Sequence, residues 1–332
     1  MKRSDFFEYQ DNFARNNNVG STLLYGCELN TTPFISITIP TFRRPKLLRE
    51  AVDSVLQQNN FSDYEIVIID NDSDKLYADQ IISFLTELAD IRIRYYINEK
   101  NIGVFGNWNR CIELARGTWM TILCDDDILF NNYLSVLTQE LEQDPSLNRI
   151  ECRYLRFSDS KNLHPTAKKR WIFNFVRKII GNECLVNYKM YVFGCYTVPH
   201  SQLYKRELAY KLGGFNPIYA PISDYVFNAA YLYYFPNGLY KNVYLCGYRW
   251  AVNESQRKIV RVGLYRWNKV FRKFLLAKNR SLFKQCTTMW LDYAELKLLD
   301  RDSSILRKLI MFVGTRVFNF CCLCAKVPLP FG

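Results

Sequence analysis

The stretch Tyr64-Glu65-Ile66-Val67-Ile68-Ile69 constrains the fold more than any other. It is β-rich and almost continuously apolar, the pattern of a strand covered on both faces in a parallel sheet. Upstream, Phe34-Ile35-Ser36-Ile37-Thr38-Ile39-Pro40 predicts a strand stopped by proline, and Thr41-Phe42-Arg43-Arg44-Pro45 a turn. Between the two strands Leu47, Leu48, Ala51, Val52, Val55 and Leu56 form a helical stripe over 46–58. Downstream the pattern predicts a helix over 76–88, a strand over 91–97, a helix over 105–115 and a strand from Thr118 that runs up to the three aspartates at 125–127. Strand–helix alternation of this kind gives a doubly wound α/β sheet, mostly parallel. Such sheets bind ligands beyond the carboxyl ends of their strands. Pro40-Thr41, Asp70 and Asp125-Asp126-Asp127 all fall there.

The three adjacent aspartates invite a chemical reading. If the strand continues through them, Asp125 and Asp127 share a face and Asp126 points away. Carboxylates that close stay ionised most easily around a hard divalent cation, Mn2+ or Mg2+, with phosphate oxygens completing its shell. The alternative is an acidic turn leading into a helix that begins near Asn132. Neither G-x-G-x-x-G nor G-x-x-x-x-G-K-[ST] occurs, so no glycine loop cradles a phosphate. A carboxylate-held metal is the substitute.

Charge divides the chain unevenly. Of 44 Lys+Arg and 32 Asp+Glu, 16 and 4 lie from Gln256 onward, so the part carrying the aspartates is balanced and the excess of +12 is carboxyl-terminal. A basic tail fits an anionic surface, and equally a solvated helical face. Leu264, Trp267, Val270, Phe271, Phe274 and Leu275 make an amphipathic stripe there. Residues 305–324 are apolar but broken by Arg307, Lys308, Thr315, Arg316 and Asn319, which suits an interfacial helix better than a spanning one. Docking on the α/β part is the competing reading. Cys321, Cys322 and Cys324 cluster without histidines to complete a zinc pattern, and the thiols are expected to be reduced. The polar residues 1–18 carry no signal-peptide core, so the expected location is cytoplasmic.

Segments 35–44 and 65–74, Asn101-x-Gly103 with Asn107-Trp108-Asn109-Arg110, and 123–127 together resemble glycosyltransferase family 2. The resemblance is good over 34–144 and weaker to Ser255. It implies a GT-A type three-layer α/β/α fold with a mostly parallel central sheet, here with a helical carboxyl-terminal extension. It also implies transfer of a sugar, mostly with inversion, from a nucleotide diphosphate donor to an acceptor hydroxyl. The expected donor is a UDP-sugar and the expected acceptor a saccharide or lipid-linked saccharide, as in surface-polysaccharide assembly. Pro40, Thr41, Arg43, Asp70, Asn101, Asn107, Asp125 and Asp126 are then candidates for donor binding. Asp127 and Asp125 are the candidate metal ligands. The family commonly shows D-x-D-D where this chain has Cys124-Asp125-Asp126-Asp127, which leaves the ligating carboxylate open. For Asn101 and Asn107, ordering of the loop and a helix cap compete with donor contact.

The division expected is an amino-terminal extension over 1–33, a nucleotide-sugar half over 34–145, an acceptor half over 146–255 and a basic helical region over 256–332. In the acceptor half Lys211-Leu212-Gly213-Gly214-Phe215-Asn216 precedes Ile222-Ser223-Asp224. Family members carry an acidic pair there, the second acid being the base; Ser223 takes the first place, and Asp224 remains. The same position suits a helix cap, which would keep the carboxylate ionised and its pKa unraised. Asp159 is the fallback base. Arg249 is a candidate diphosphate contact, whereas Trp250 cannot ligate a metal. His164 and His200, the only histidines, read as structural. Two rivals remain: a nucleotidyltransferase on a similar sheet, and a non-enzymatic basic protein binding membrane or nucleic acid. Under the transferase reading no nucleic acid is expected, and membrane contact is peripheral, through 256–332.

Overall fold

The computed structural model describes residues 5–27, 31–158, 183–193, 197–250 and 258–278. Its strands are β1 (Ser21–Tyr25), β2 (Ile35–Thr41), β3 (Tyr64–Asp70), β4 (Ile93–Asn98), β5 (Trp119–Ile122), β6 (Ile128–Leu129), β7 (Arg149–Phe157), β8 (Glu183–Val186), β9 (Gln202–Lys205) and β10 (Gly238–Arg249). The helices are α1 (Pro45–Leu56), α2 (Ala78–Leu88), α3 (Gly103–Leu114), α4 (Tyr133–Gln143), α5 (Arg206–Lys211), α6 (Ser223–Tyr234) and α7 (Lys258–Lys278). One sheet runs β1-β4-β3-β2-β5-β9-β7-β10-β6, with β8 also on β10. The centre, β4-β3-β2-β5, is parallel as expected. Beyond it the sheet is mixed: β9 lies antiparallel to β5 and β7, while β7 and β10 run parallel.

Period-two alternation assigns the central side chains to two cores. Ile35, Ile37, Ile39, Ile66 and Ile68 face α1, α2 and α4, whereas Val67, Ile69, Met120 and Ile122 face α3 and α6. Both faces are covered, which is why β3 could be so apolar. Glu65, near its start, is fully buried and paired with Arg94, and its other oxygen accepts from Ser36 Oγ at 2.5 Å. The chain leaves β2 by α1 on one face and enters β5 from α3 on the other. That reversal makes a switch point, with a crevice between the carboxyl ends of β2 and β5.

Pro40 does not stop β2, which continues to Thr41. The Thr38 carbonyl accepts from Leu123 N on the β5 side, while the Thr41 carbonyl accepts from Asn71 N on the β3 side. Residue 40 therefore faces the side where β5 has already ended at Ile122, and its missing N–H costs no ladder bond. Proline at the first position of α1 is likewise harmless, since that N–H has no helical partner.

Residues 1–33 read as an extension, but two parts of them are built into the fold. β1 pairs antiparallel with β4 at the sheet edge. Residues 5–13 form a strap: Asn12 N and Nδ2 both donate to the Gly213 carbonyl at 3.0 Å, and Phe6 and Phe7 enter a core with α6 and α7. Leu264, Trp267, Phe271, Phe274 and Leu275 of α7 pack into that core. Val270, expected in the same stripe, is instead 47% exposed, because it lies a quarter-turn from Phe271. Docking thus takes the apolar face of this helix, and no described helix is long and apolar enough to cross a membrane. Residues 305–324, His164 and Asp159 lie outside the described residues.

Candidate active site

A cleft of about 400 Å³ opens at the switch point. Pro40, Thr41 and Arg44 line it from the end of β2, and Cys124, Asp125 and Asp126 from the segment after β5. Asn107 and the exposed Val104 of α3 complete one wall. The aspartates do not continue the strand. β5 ends at Ile122, Asp127 N donates to the Cys124 carbonyl at 3.0 Å, and the chain turns back into β6. Strand alternation therefore fails, and the expected partnership of Asp125 with Asp127 is replaced by another. Asp125 and Asp126 share Arg44, whose Nη1 lies 3.5 and 3.1 Å from their oxygens, and Thr41 Oγ1 donates to Asp125 Oδ2 at 2.8 Å. Asp127 points elsewhere: its Oδ1 accepts the Arg249 backbone N–H at 2.7 Å, and its Oδ2 lies 3.3 Å from His200 Nδ1.

Burial dominates the electrostatics. It pushes Asp125 up to about 6 despite the Thr41 hydroxyl, raises Asp126 against Arg44, and raises Asp127 well above the carboxylate range with help from Asp126. The Cys124 thiol is pushed well up by burial and then by Asp127, Asp126, Asp125 and Asp224. That last influence brings Asp224, distant in sequence, within electrostatic reach of the acidic turn. Asp127 Oδ2 has no hydrogen-bond partner among the described residues. One ligand atom each from Cys124, Asp126 and Asp127 lies within 4.8 Å of the others. A buried carboxylate oxygen without a partner, beside a second carboxylate, fits a hard divalent cation. The protonated thiol is the weakest of the three donors. Asp127 was expected in such a set; Asp126 joins it although Arg44 also reaches it, while Asp125, expected as well, has one oxygen taken by Thr41 and the other by Arg44 and lies outside the set.

The other sequence candidates divide into cleft and scaffold. Asp70 is buried outside the cleft lining, accepts from Tyr95 Oη and Asp72 N at 2.9 Å each, and is pushed up to about 6 by burial. Arg43, in the left-handed region at φ 57°, is turned onto Asp72 and Asp74. Asn101 Oδ1 accepts from Asn71 Nδ2 and Gly103 N, so it orders the loop before α3. Asn107 Nδ2 donates to the Ile69 carbonyl at 3.0 Å and its Oδ1 accepts from Asn98 at 2.8 Å. Arg249 Nε donates to the Asp126 carbonyl and Nη2 to Glu50, so its side chain is committed to bracing the acidic turn.

Asp224 is the second residue of α6, not its cap, and Ser223 Oγ donates to the Asn216 carbonyl at 2.7 Å. Its carboxyl is half-buried and is pushed up to about 6 by desolvation, against the amides of Tyr225 and of Asp224 itself. The expectation of an unraised pKa fails because burial outweighs the helix terminus. Arg44 and His200 were missed as site residues. Arg44 adjoins the motif already noted, so its charge opposite three acids was an available signal. His200 arrives through the antiparallel pairing of Met120 with Tyr204, which continued four residues sets it level with Cys124. Nothing in sequence spacing reports that pairing.

Comparison with known proteins agrees with this fold. WcaA of Escherichia coli, named for colanic acid biosynthesis, is 33% identical over 162 residues, 47% of this chain and 57% of that one. A Campylobacter jejuni GalNAc(5)-diNAcBac-PP-undecaprenol beta-1,3-glucosyltransferase is 36% identical over 114 residues, 33% of this chain and 35% of that one. The chain therefore spans about half or less of these relatives' lengths. Among solved structures, S. aureus TarS with UDP-GlcNAc superposes with a TM-score of 0.54 at 12% identity, covering 90% of this chain and 89% of that one. A Pyrobaculum calidifontis mannosyltransferase with GDP-Man and Mn2+ gives 0.53 at 15% identity, covering 91% and 85%. At such identities these two support the fold, which is of the GT-A type. The profile described as Glycosyl transferase family 2 matches residues 36–213, more than half of the sequence, and the chain belongs to that family.

Proposed function

We propose that this protein transfers a sugar from a nucleotide diphosphate donor to an acceptor hydroxyl, with inversion at the anomeric carbon. The observation that carries the reading is the acidic turn opening onto the switch-point cleft, with Asp224 in electrostatic reach. In this reading the nucleotide lies along Pro40, Thr41 and Asn107, and Arg44 holds the acidic turn against the diphosphate. Asp126 and Asp127 would hold a divalent cation, Mn2+ or Mg2+, which when bound offsets charge on the leaving diphosphate. Asp224 accepts the acceptor hydroxyl proton as that oxygen forms its bond to the anomeric carbon and the bond to the diphosphate oxygen breaks. A base whose pKa burial has lifted to about 6 is stronger than an exposed carboxylate and still ionised at neutral pH.

The nucleotide-sugar complexes of the fold relatives favour a UDP- or GDP-sugar. The undecaprenol-linked substrate in one relative's name favours a lipid-linked saccharide acceptor, met at the cytoplasmic membrane face with contact through 256–332. The test is a thermal-shift screen of nucleoside diphosphates and their sugars with and without Mn2+ or Mg2+. A ligand at 100 times its Kd stabilises by about 2.7 kcal/mol. Metal-dependent stabilisation by one nucleotide is expected; no stabilisation by any of them refutes the reading.

A further inference from the structure

His200 has no exposed surface, and burial pushes its pKa down to about 3, so the ring is neutral; apart from an interaction with the Gly247 backbone, its Nδ1 and Nε2 make no hydrogen bond of good geometry among the described residues. The nearest carboxylate atom is Asp127 Oδ2, 3.3 Å from Nδ1, which also lacks a partner. The ring cannot easily move away. It sits on the 3-10 turn Pro199–Ser201, where Ser201 Oγ accepts from Val198 N at 3.1 Å and donates to the Val198 carbonyl at 2.9 Å. Thr121 Oγ1, on the strand leading to the acidic turn, reaches the Pro199 carbonyl at 3.4 Å. A packing residue in this place would be better made of carbon, because an unmet imidazole nitrogen loses water and gains nothing. The Gly247 backbone can engage one ring nitrogen, and Asp127 Oδ2 faces Nδ1 across 3.3 Å.

We propose that His200 is a positioning residue that orients Asp127 by donating Nδ1–H to its Oδ2. Asp127 is then gripped twice, by the Arg249 amide on Oδ1 at 2.7 Å and by the imidazole on Oδ2. The two grips come from β10 and from the turn before β9, elements that meet the acidic turn from different sides. Fixing both oxygens sets the carboxylate plane, and so the direction in which its remaining lone pairs meet a cation. Partners of this kind behind metal-binding carboxylates typically change metal affinity by about 10–100-fold when lost. The proposal rests on the acidic turn being the donor diphosphate site.

The experiment has two arms on the full chain. In the first, long-range proton–nitrogen spectra of histidine-labelled protein, without nucleotide or metal, report the tautomer; His200→Asn assigns the signal. An Nδ1–H ring whose resonance moves in Asp127→Asn is expected. An Nε2–H ring indifferent to Asp127→Asn overturns the proposal. The second arm follows Mn2+-dependent binding of UDP and GDP by calorimetry, with a melting curve for each variant. In His200→Asn the amide nitrogen stands where Nδ1 stood, so affinity should stay within about 3-fold of wild type. His200→Gln presents its amide nearer the Nε2 place and should lose about 10-fold or more at an unchanged melting temperature. Equal losses in both variants that follow their melting temperatures would make His200 a packing residue and overturn the proposal. If wild type binds neither nucleotide in a metal-dependent way, the donor-site reading fails, and the tautomer still decides whether the bond exists.

Discussion

Replacing Asp224 by asparagine separates catalysis from stability, because the two should move in opposite directions. The folded protein holds the Asp224 proton more tightly than an unfolded chain does: the carboxyl goes from 3.8 to about 6 on burial. A group raised in this way lowers stability as pH climbs between those two values, and its full cost is present above about 6. The difference sets a ceiling of about 3 kcal/mol, reduced by the water that the half-buried carboxyl keeps. An asparagine in that place carries no charge to desolvate and keeps one acceptor oxygen for the first-turn amides. Asp224→Asn should therefore unfold at higher urea than wild type at pH 7.5, by up to about 3 kcal/mol, and the gain should vanish near pH 3.5. Turnover should fall by roughly 10²–10⁴-fold, the range for losing a positioned proton acceptor. In wild type, kcat should decline below about pH 6 as the base protonates. The assay is single-turnover transfer across pH 5–8 beside urea denaturation at both pH values. Near-normal transfer refutes the base assignment, and a variant less stable than wild type at pH 7.5 refutes the burial argument.

Asp127→Asn should leave the melting temperature unchanged or higher, since burial already disfavours the charge, while Mn2+-dependent nucleotide affinity falls at least about 10-fold by calorimetry; unchanged affinity removes Asp127 from the ligands. Asn107→Ala should cost about 1–3 kcal/mol in urea denaturation, because the Ile69 carbonyl and Asn98 Nδ2 both lose a buried partner. A loss of nucleotide affinity without that cost would make Asn107 a donor contact instead of a staple. Phe271→Ala should cost about 3–5 kcal/mol, as the ring is fully buried among Phe6, Phe7 and Tyr225; a cost below about 1 kcal/mol would mean that α7 does not hold this core.

The parallel centre of the sheet was legible because its strands and helices advertise themselves by local periodicity. Val67 and Ile68 belong to different cores, and alternation alone assigns them. The acidic turn was located correctly but its geometry was not, since the reversal after Ile122 depends on β6 pairing with β10, more than a hundred residues away. Arg249 illustrates the same limit. Its place in the family pattern suggested a phosphate contact, whereas in the structure Glu50 and the Asp126 carbonyl, brought up by α1 and the turn, hold the guanidinium. The raised Asp224 was hidden for a related reason: a first-turn position is readable, whereas burial of the helix end against the sheet is a tertiary fact. The strap over 5–13 carries no periodicity, and only Phe6 and Phe7 hint that it has a core to join.

That strap sets an order of assembly during synthesis. Phe6 and Phe7 emerge well ahead of Phe271 and Phe274, against which they pack and which follow about 265 residues later. At roughly 5–20 residues per second the two rings wait about 13–53 s for those partners. The parallel strands need only residues up to Ile122 and can pair early in that interval, whereas the acidic turn of the cleft waits for β10, which ends at Arg249. The core beneath Asp224 waits longer, because Tyr225 also packs on Phe271. The nucleotide-binding sheet thus forms before its acidic turn is braced, and the side bearing the proton acceptor gathers its parts last. Until then Phe6 and Phe7 can meet Tyr219 and Tyr233 but not the α7 rings that close over them.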